Sequence, residues 1–199
     1  MELKIGVLTL QSTAMPRMSK NYLNGLRLAL ANTSIDVKYV IEGVGVGTEI
    51  DLAVEKVEKL VIQEEVDIIV GMAGHRAIPR IRLTANNLWL PMIMADFGAN
   101  IPIGQPKSEG FYTLSLDRWH SSYVLGKYLT EKESGQVGVA TSYYDCGYGM
   151  IEGLERGLYK SEGGFLGHYV VPHQPREDEI DFFKEAVNGI GENPMFAVH

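Results

Sequence analysis

The 199-residue sequence has a single cysteine, Cys146, so no disulfide can form within the chain and a disulfide-stapled miniprotein is excluded. Charges or prolines interrupt every apolar run before it reaches the ~18 residues of a membrane-spanning helix. Basic residues are in the minority, 18 against 25 acidic, for a net charge of −7 and a pI near 5.3. They form no cluster, which leaves no electrostatic footprint for nucleic acid or an anionic membrane surface and points to small-molecule or protein partners. The histidines His75, His120, His168, His173 and His199 make no H-x-x-x-H pair, and no second cysteine exists to join them, so no metal site is expected. A P-loop, G-x-x-x-x-G-K-[ST], is missing. Met1-Glu2-Leu3-Lys4 runs straight into an apolar segment without the layout of a signal peptide, so any export signal is expected to have been removed or never to have existed.

What is present is an alternation of strand and helix patterns. The composition, 45% hydrophobic and 22% charged, is that of a globular protein, and the length fits one large domain or two small ones. LKIGVLTL (3–10) reads as a buried parallel strand, followed by a helix carrying Leu23, Leu26 and Leu30 on one face. A second strand (35–42) and a Gly-rich turn lead to the clearest helix, with Ile50, Val54, Val57 and Val61 at helical spacing and Glu55 and Lys59 as an exposed i,i+4 pair. Strand 66–70, helix 76–88, strand 91–95, a Gly/Pro/Asn loop and strand 111–114 complete one block. The second block runs helix 118–131, strand 136–142, helix 148–160, strand 165–171, helix 178–188 and strand 195–198. This pattern predicts an α/β fold of two doubly wound parallel-sheet lobes, residues 1–116 and a partial lobe 117–199, joined near 116–121. A strand that ends the chain normally feeds another helix, so the second lobe reads as truncated.

In such folds ligands bind beyond the carboxyl ends of the strands, which selects six loops: 11–17, 43–48, 71–76, 96–100, 143–148 and 172–176. Gly43-Val44-Gly45-Val46-Gly47 approaches a phosphate-binding G-x-G-x-x-G pattern but has Thr48 where the third glycine belongs, and reads better as a strand-to-helix turn. Cys146 occupies the strand-to-helix position of a nucleophile elbow, yet Tyr144 and Tyr148 stand where the strained turn needs small residues. His168 and His173 are conceivable bases by strand position, without local support for a pairing. Tyr143-Tyr144-Asp145-Cys146-Gly147-Tyr148 offers aromatic faces with polar tips, suited to a small organic ligand or simply to core packing. Tyr148 opens its helix on the same face as Ile151.

KIGVLTL, NYLNGLRLAL, the helix around Ala53 to Leu60 with the following VDIIVG, LPMI at 90–93, FYTLSLD at 111–117 and VGVA at 137–140 with D-x-x-Y-G at 145–149 together resemble the solute-binding proteins of ABC transporters, in particular the branched-chain amino acid (leucine/isoleucine/valine-binding) family with the type I periplasmic-binding fold. The resemblance implies two lobes joined by a hinge at 111–117, closing on a ligand and delivering it to a membrane permease. Ligand contacts then correspond to Gln11 and Ser12 in the first loop, to Gly74, His75, Asp96 and Gly98 as the clamp for charged groups, and to Tyr143 and Tyr148 from the second lobe. Family members usually place Ser or Thr where Gly74, His75 and Gly98 stand. His75 and Arg76, near a helix start, suit an anionic group, while Asp96 and Asp145 suit a cationic one. Relatives of this kind are about twice as long and cross the hinge three times, where one crossing is visible here.

The resemblance implies a non-enzymatic, monomeric, periplasmic or extracellular protein that captures a small polar molecule, an amino acid or related organic acid or amide, without a cofactor or metal, by favouring a closed state over an open one. Two other readings stay open: a cytoplasmic ligand sensor of the same fold, and a cysteine-dependent hydrolase or amidotransferase using Cys146.

Overall fold

The computed structural model describes residues 2–13, 15–96, 98–101, 109–132, 136–142, 148–160, 164–172, 174–190 and 195–198. These residues fall into two compact units. The first runs to Asp96 and takes in the strand that ends at Ser115; the second holds residues 98–101 and everything described from Leu116 onward.

The first unit follows the order β1 (Glu2–Thr9), α1 (Met18–Leu30), β2 (Asp36–Gly43), α2 (Ile50–Glu58), a π-helical turn (Lys59–Gln63), β3 (Ile68–Met72), α3 (Ile78–Leu88), β4 (Met92–Asp96) and β5 (Phe111–Ser115). Its five strands are all parallel, ordered β2-β1-β3-β4-β5. Strand pleating sends Gly6 and Leu8 to one face and Ile5 and Val7 to the other. On the first face Leu8, Ile69, Met92 and Met94 join Ala53, Val57, Leu60, Ile78 and Ile81 from α2, the π-turn and α3. On the second, Ile5, Val7 and Val70 pack with Tyr22, Leu23, Leu26 and Leu30 of α1. Helices thus cover both faces, as strands apolar on both sides require. Each fully buried Leu or Ile contributes about 1.5–3 kcal/mol through the water it gives up, so these two layers hold the unit together.

One expectation needs correction. The helix from Ile50 does not continue as a regular α-helix to Val61: it widens into the π-turn, and its fully buried stripe is Ala53, Val57 and Leu60. Lys59 consequently does not pair with Glu55. Its Nζ donates to Glu42 Oε1 of β2 at 2.5 Å, and Lys56 Nζ approaches Glu42 Oε2 at 3.6 Å. The Lys59 ammonium holds the Glu42 carboxyl below its ordinary range, and Glu42 in turn raises the Lys59 pKa. The cross-element pair wins because Glu42 is largely shielded from water, where an ion pair is screened less than on an open helix face.

The second unit contains α4 (Arg118–Lys132), β6 (Gln136–Ser142), α5 (Tyr148–Lys160), β7 (Gly164–Val171), α6 (Glu179–Ile190) and β8 (Met195–Val198). Its sheet is parallel, ordered β7-β6-β8, with a register shift at Val137/Gly138. Val137 and Val139 pack against Leu154 and Leu158 of α5, with Leu129 of α4 behind them. α5 carries glycine at every fourth position, Gly149, Gly153 and Gly157, which brings backbones into contact: a β-carbon on Gly153 would lie 2.5 Å from the Trp119 carbonyl oxygen, and one on Gly157 2.2 Å from that of Tyr123. Tyr169 of β7 meets Phe183 of α6 edge-on at 5.4 Å.

Candidate functional site

In the strand order of the first unit, the chain leaves β1 toward β2 on one side and returns to β3 on the other. The strand order thus reverses between β1 and β3, and the carboxyl ends of strands at such a point are the usual ligand position in these sheets.

Three loops are tied together at this edge by backbone contacts. The Gln11 N–H donates to the Gly45 carbonyl at 2.6 Å and the Val44 N–H to the Thr9 carbonyl at 3.0 Å, fastening the loop after β2 to the end of β1. Val44 is fully buried beneath. The loop after β2 also meets the loop after β3. Gly47, at φ +86°, lies so near Gly74 that a β-carbon on Gly74 would fall 1.9 Å from the Gly47 carbonyl oxygen. Gly43-Val44-Gly45-Val46-Gly47 is thus a turn that packs against its neighbours, and its last glycine is fixed by a tertiary contact.

Gln11 lies at the mouth of β1 with its side-chain amide against Gly43, where a β-carbon would be 3.0 Å from Nε2. Ser12 Oγ accepts the Met15 N–H at 3.2 Å, closing the turn before α1, and the Ser19 hydroxyl donates to the Leu10 carbonyl. The segment after β3 forms a further turn, with the Ala77 N–H on the Gly74 carbonyl at 2.9 Å and the Ile78 N–H on the His75 carbonyl at 3.3 Å. His75 is half-buried and Arg76 exposed, and neither side chain makes a hydrogen bond or ion pair among the described residues. Asp96 closes β4 in register with Ser115 and is half-buried. Because β1, β3 and β4 are neighbours, Gln11, Ser12, Gly74, His75 and Asp96 follow three adjacent strands, spread over about 10 Å of one edge.

Gly98 belongs to the second unit. It is buried at φ +69°, and its carbonyl accepts the Trp119 N–H at 2.9 Å, holding the start of α4. Tyr148 is the first residue of α5, and its side chain lies outside the described residues, as do Tyr143, Asp145, Cys146 and His173 entirely. His168 is exposed on β7 with its ring 6.2 Å from that of Phe165. No group of three or more potential metal ligands occurs among the described residues. Among the described residues, the strongly shifted carboxyl is Glu179 at the start of α6, beyond the carboxyl end of β7 in the second unit. Arg176 grips Glu179 through Nε and Nη2 at 3.0 and 3.1 Å, the Tyr169 hydroxyl also donates to it, and together they lower its pKa from 4.5 to about 2.

Sequence reading missed Gly47 and Ser19 as organisers of this edge. The glycine run was a visible signal, but its partner Gly74 lies 27 residues further along the chain, at a distance only the fold closes.

The chain is similar over nearly its whole length to solved solute-binding proteins. One from Rhodopseudomonas palustris, in complex with 3,4-dihydroxybenzoic acid, is 15% identical with a TM-score of 0.73, covering 99% of this chain and 54% of its own. A second from R. palustris, with benzoate, is 17% identical at TM-score 0.73, covering 94% and 53%. The leucine-binding protein LivK of Thermotoga maritima is 14% identical at TM-score 0.66, covering 98% and 55%. This chain therefore spans about half the length of these structures. No curated protein matches it. The family model described as periplasmic binding protein matches residues 2–187, and with that match the chain belongs to the periplasmic binding protein family.

Proposed function

We propose that this chain is the ligand-capturing part of an ABC-importer solute-binding protein, and that its solute is a small organic acid or amino acid held through a carboxylate at the carboxyl edge of the first unit. The observation that carries this reading is the pair His75 and Arg76, two potential cations side by side in the turn before α3, with no partner among the described residues. A guanidinium matches a carboxylate in a two-pronged fork, and charge-assisted hydrogen bonds of this kind are about twice as strong as neutral ones. In the same proposal Gln11, after β1, supplies a neutral amide to the solute, and Asp96, after β4, balances the ammonium group if the solute is an amino acid. The family match and solved relatives that carry benzoate, 3,4-dihydroxybenzoic acid or the name of a leucine-binding protein support a carboxylate-bearing solute. Residues 143–148 of the second unit are the proposed source of the opposing aromatic contacts, closure following the solute's preference for the closed state. Delivery to a membrane permease outside the cytoplasm is part of the same proposal.

Calorimetric titration with benzoate, 4-hydroxybenzoate and branched-chain amino acids tests it. Arg76→Ala is expected to weaken binding of the preferred acid at least about tenfold, the loss of a charge-assisted pair worth about 1.5–3 kcal/mol, with unfolding by urea unchanged. Equal affinity of the variant, or equal binding of the corresponding neutral amide, would remove the carboxylate from the account.

A further inference from the structure

The opposite edge of the same sheet carries a feature that solute capture does not use. α3 ends at Leu88, and Trp89 follows in the left-handed conformation, φ 55° and ψ 32°, while the Leu90 N–H bonds back to the Ala85 carbonyl at 3.3 Å. This is the position where helices favour glycine, because a side chain there is crowded by its own backbone. A large indole is therefore the costly choice for the backbone, and it is costly for solvation too, since Trp89 is 92% exposed. Neither packing nor chain geometry accounts for it. Trp89 lines a groove of about 520 Å³ whose other described lining residues are Ala85, Asn86, Leu90, Pro91, Glu109 and Gly110. The Met92 N–H bonds to the Gly110 carbonyl at 2.8 Å, placing the groove where β4 and β5 begin. Glu109 is exposed and makes no ion pair among the described residues, and Arg82, on the same helix, is committed to the Phe111 ring with its guanidinium carbon 4.8 Å from the centroid.

We propose that this groove binds a small organic cation, an alkylammonium or guanidinium compound, against the face of Trp89 with its charge balanced by Glu109. An aromatic face attracts a cation through its quadrupole, tryptophan most strongly, and a carboxylate on the same rim turns that attraction into selectivity for charge over shape. The volume lies within the range of small-molecule pockets. The site faces away from the carboxyl edge where the transported solute is placed, and it takes a ligand of opposite charge.

Choline is a suitable probe and 3,3-dimethylbutan-1-ol its uncharged isostere. The chain has two tryptophans, so a ¹⁵N-labelled sample shows two indole N–H resonances, with Trp119 in the second unit as internal control. Choline is expected to shift the Trp89 resonance saturably with an apparent Kd of about millimolar, leave Trp119 unmoved and lose affinity as salt rises. The alcohol is expected to produce no saturable shift, and Glu109→Gln to weaken choline at least about threefold. An unshifted Trp89, equal binding of the alcohol, or unchanged affinity in Glu109→Gln with Trp119 at its normal position would overturn the proposal.

Discussion

Gly74 has no room for a β-carbon: the Gly47 carbonyl oxygen stands 1.9 Å from where one would be. Gly74→Ala forces two loops of the candidate site apart, and should lower the free energy of unfolding in urea by about 1–3 kcal/mol, as overpacking does elsewhere, and disturb the ligand edge along with it. Glu179 makes a prediction of a different kind. Its carboxyl pKa falls to about 2 because Arg176 and Tyr169 both donate to the ionised form. A depressed carboxyl stabilises the fold above its unfolded value of 4.5, and that contribution fades as pH drops from 4.5 toward 2. Protection of the α6 amides, taken relative to the intrinsic exchange rate at each pH, should fall over that window in the parent chain and lose this pH dependence in Glu179→Gln; an identical profile for both would contradict the assignment. Individual residues were the least legible scale in the sequence. The strand pattern, a local property, selected only the loops that hold Gln11, His75 and Asp96, and the resemblance supplied the residues, whereas the capture of Lys59 by Glu42 depends on two elements meeting and could not be read from either alone.

Elements were legible almost throughout, because hydrophobic periodicity is local and strong. β6, α5 and β8 occupy the expected residues, and the other elements begin or end within a few positions of expectation. The exception is instructive. The apolar spacing after Ile50 fits a regular helix, yet a π-turn over Lys59–Gln63 lets Leu60 enter the core and turns the chain toward β3. No residue pattern announces such a turn. The α4–α5 pair shows the opposite case, in which Gly149, Gly153 and Gly157 were plain in the sequence but their use was not: they admit the carbonyls of Ala99, Trp119 and Tyr123. Gly157→Leu should separate α5 from α4 and cost about 3 kcal/mol or more by circular dichroism on urea unfolding, because backbone, not a movable side chain, blocks the space. A cost below about 0.5 kcal/mol would show that the helices can slide apart freely.

At the scale of the whole molecule, the doubly wound class followed from the alternation of strands and helices, while the strand order did not. The order β2-β1-β3-β4-β5 places the mouths of β1 and β3 side by side and so converts a list of loops into one edge with five candidate residues. Sheet order is set by contacts distant in sequence, chiefly Leu8, Ile69 and Met94 packing with the helices over them. The face that α1 covers over β1 and β3 stays open farther along: Ile93, Tyr112 and Leu114 share it and are exposed. The chain corresponds to about half the length of the solved relatives it matches, so capture of a solute by this chain is the claim on which the functional account rests.

Native mass spectrometry of the purified chain, before and after incubation with a panel of small carboxylic acids and amino acids, tests that claim most directly. The account predicts the 22.0 kDa chain together with a one-to-one adduct of a carboxylate, present on purification or taken up from the panel, and lost in Arg76→Ala. A 22.0 kDa chain that stays bare across the panel at millimolar concentrations, or an adduct indifferent to Arg76, would contradict it.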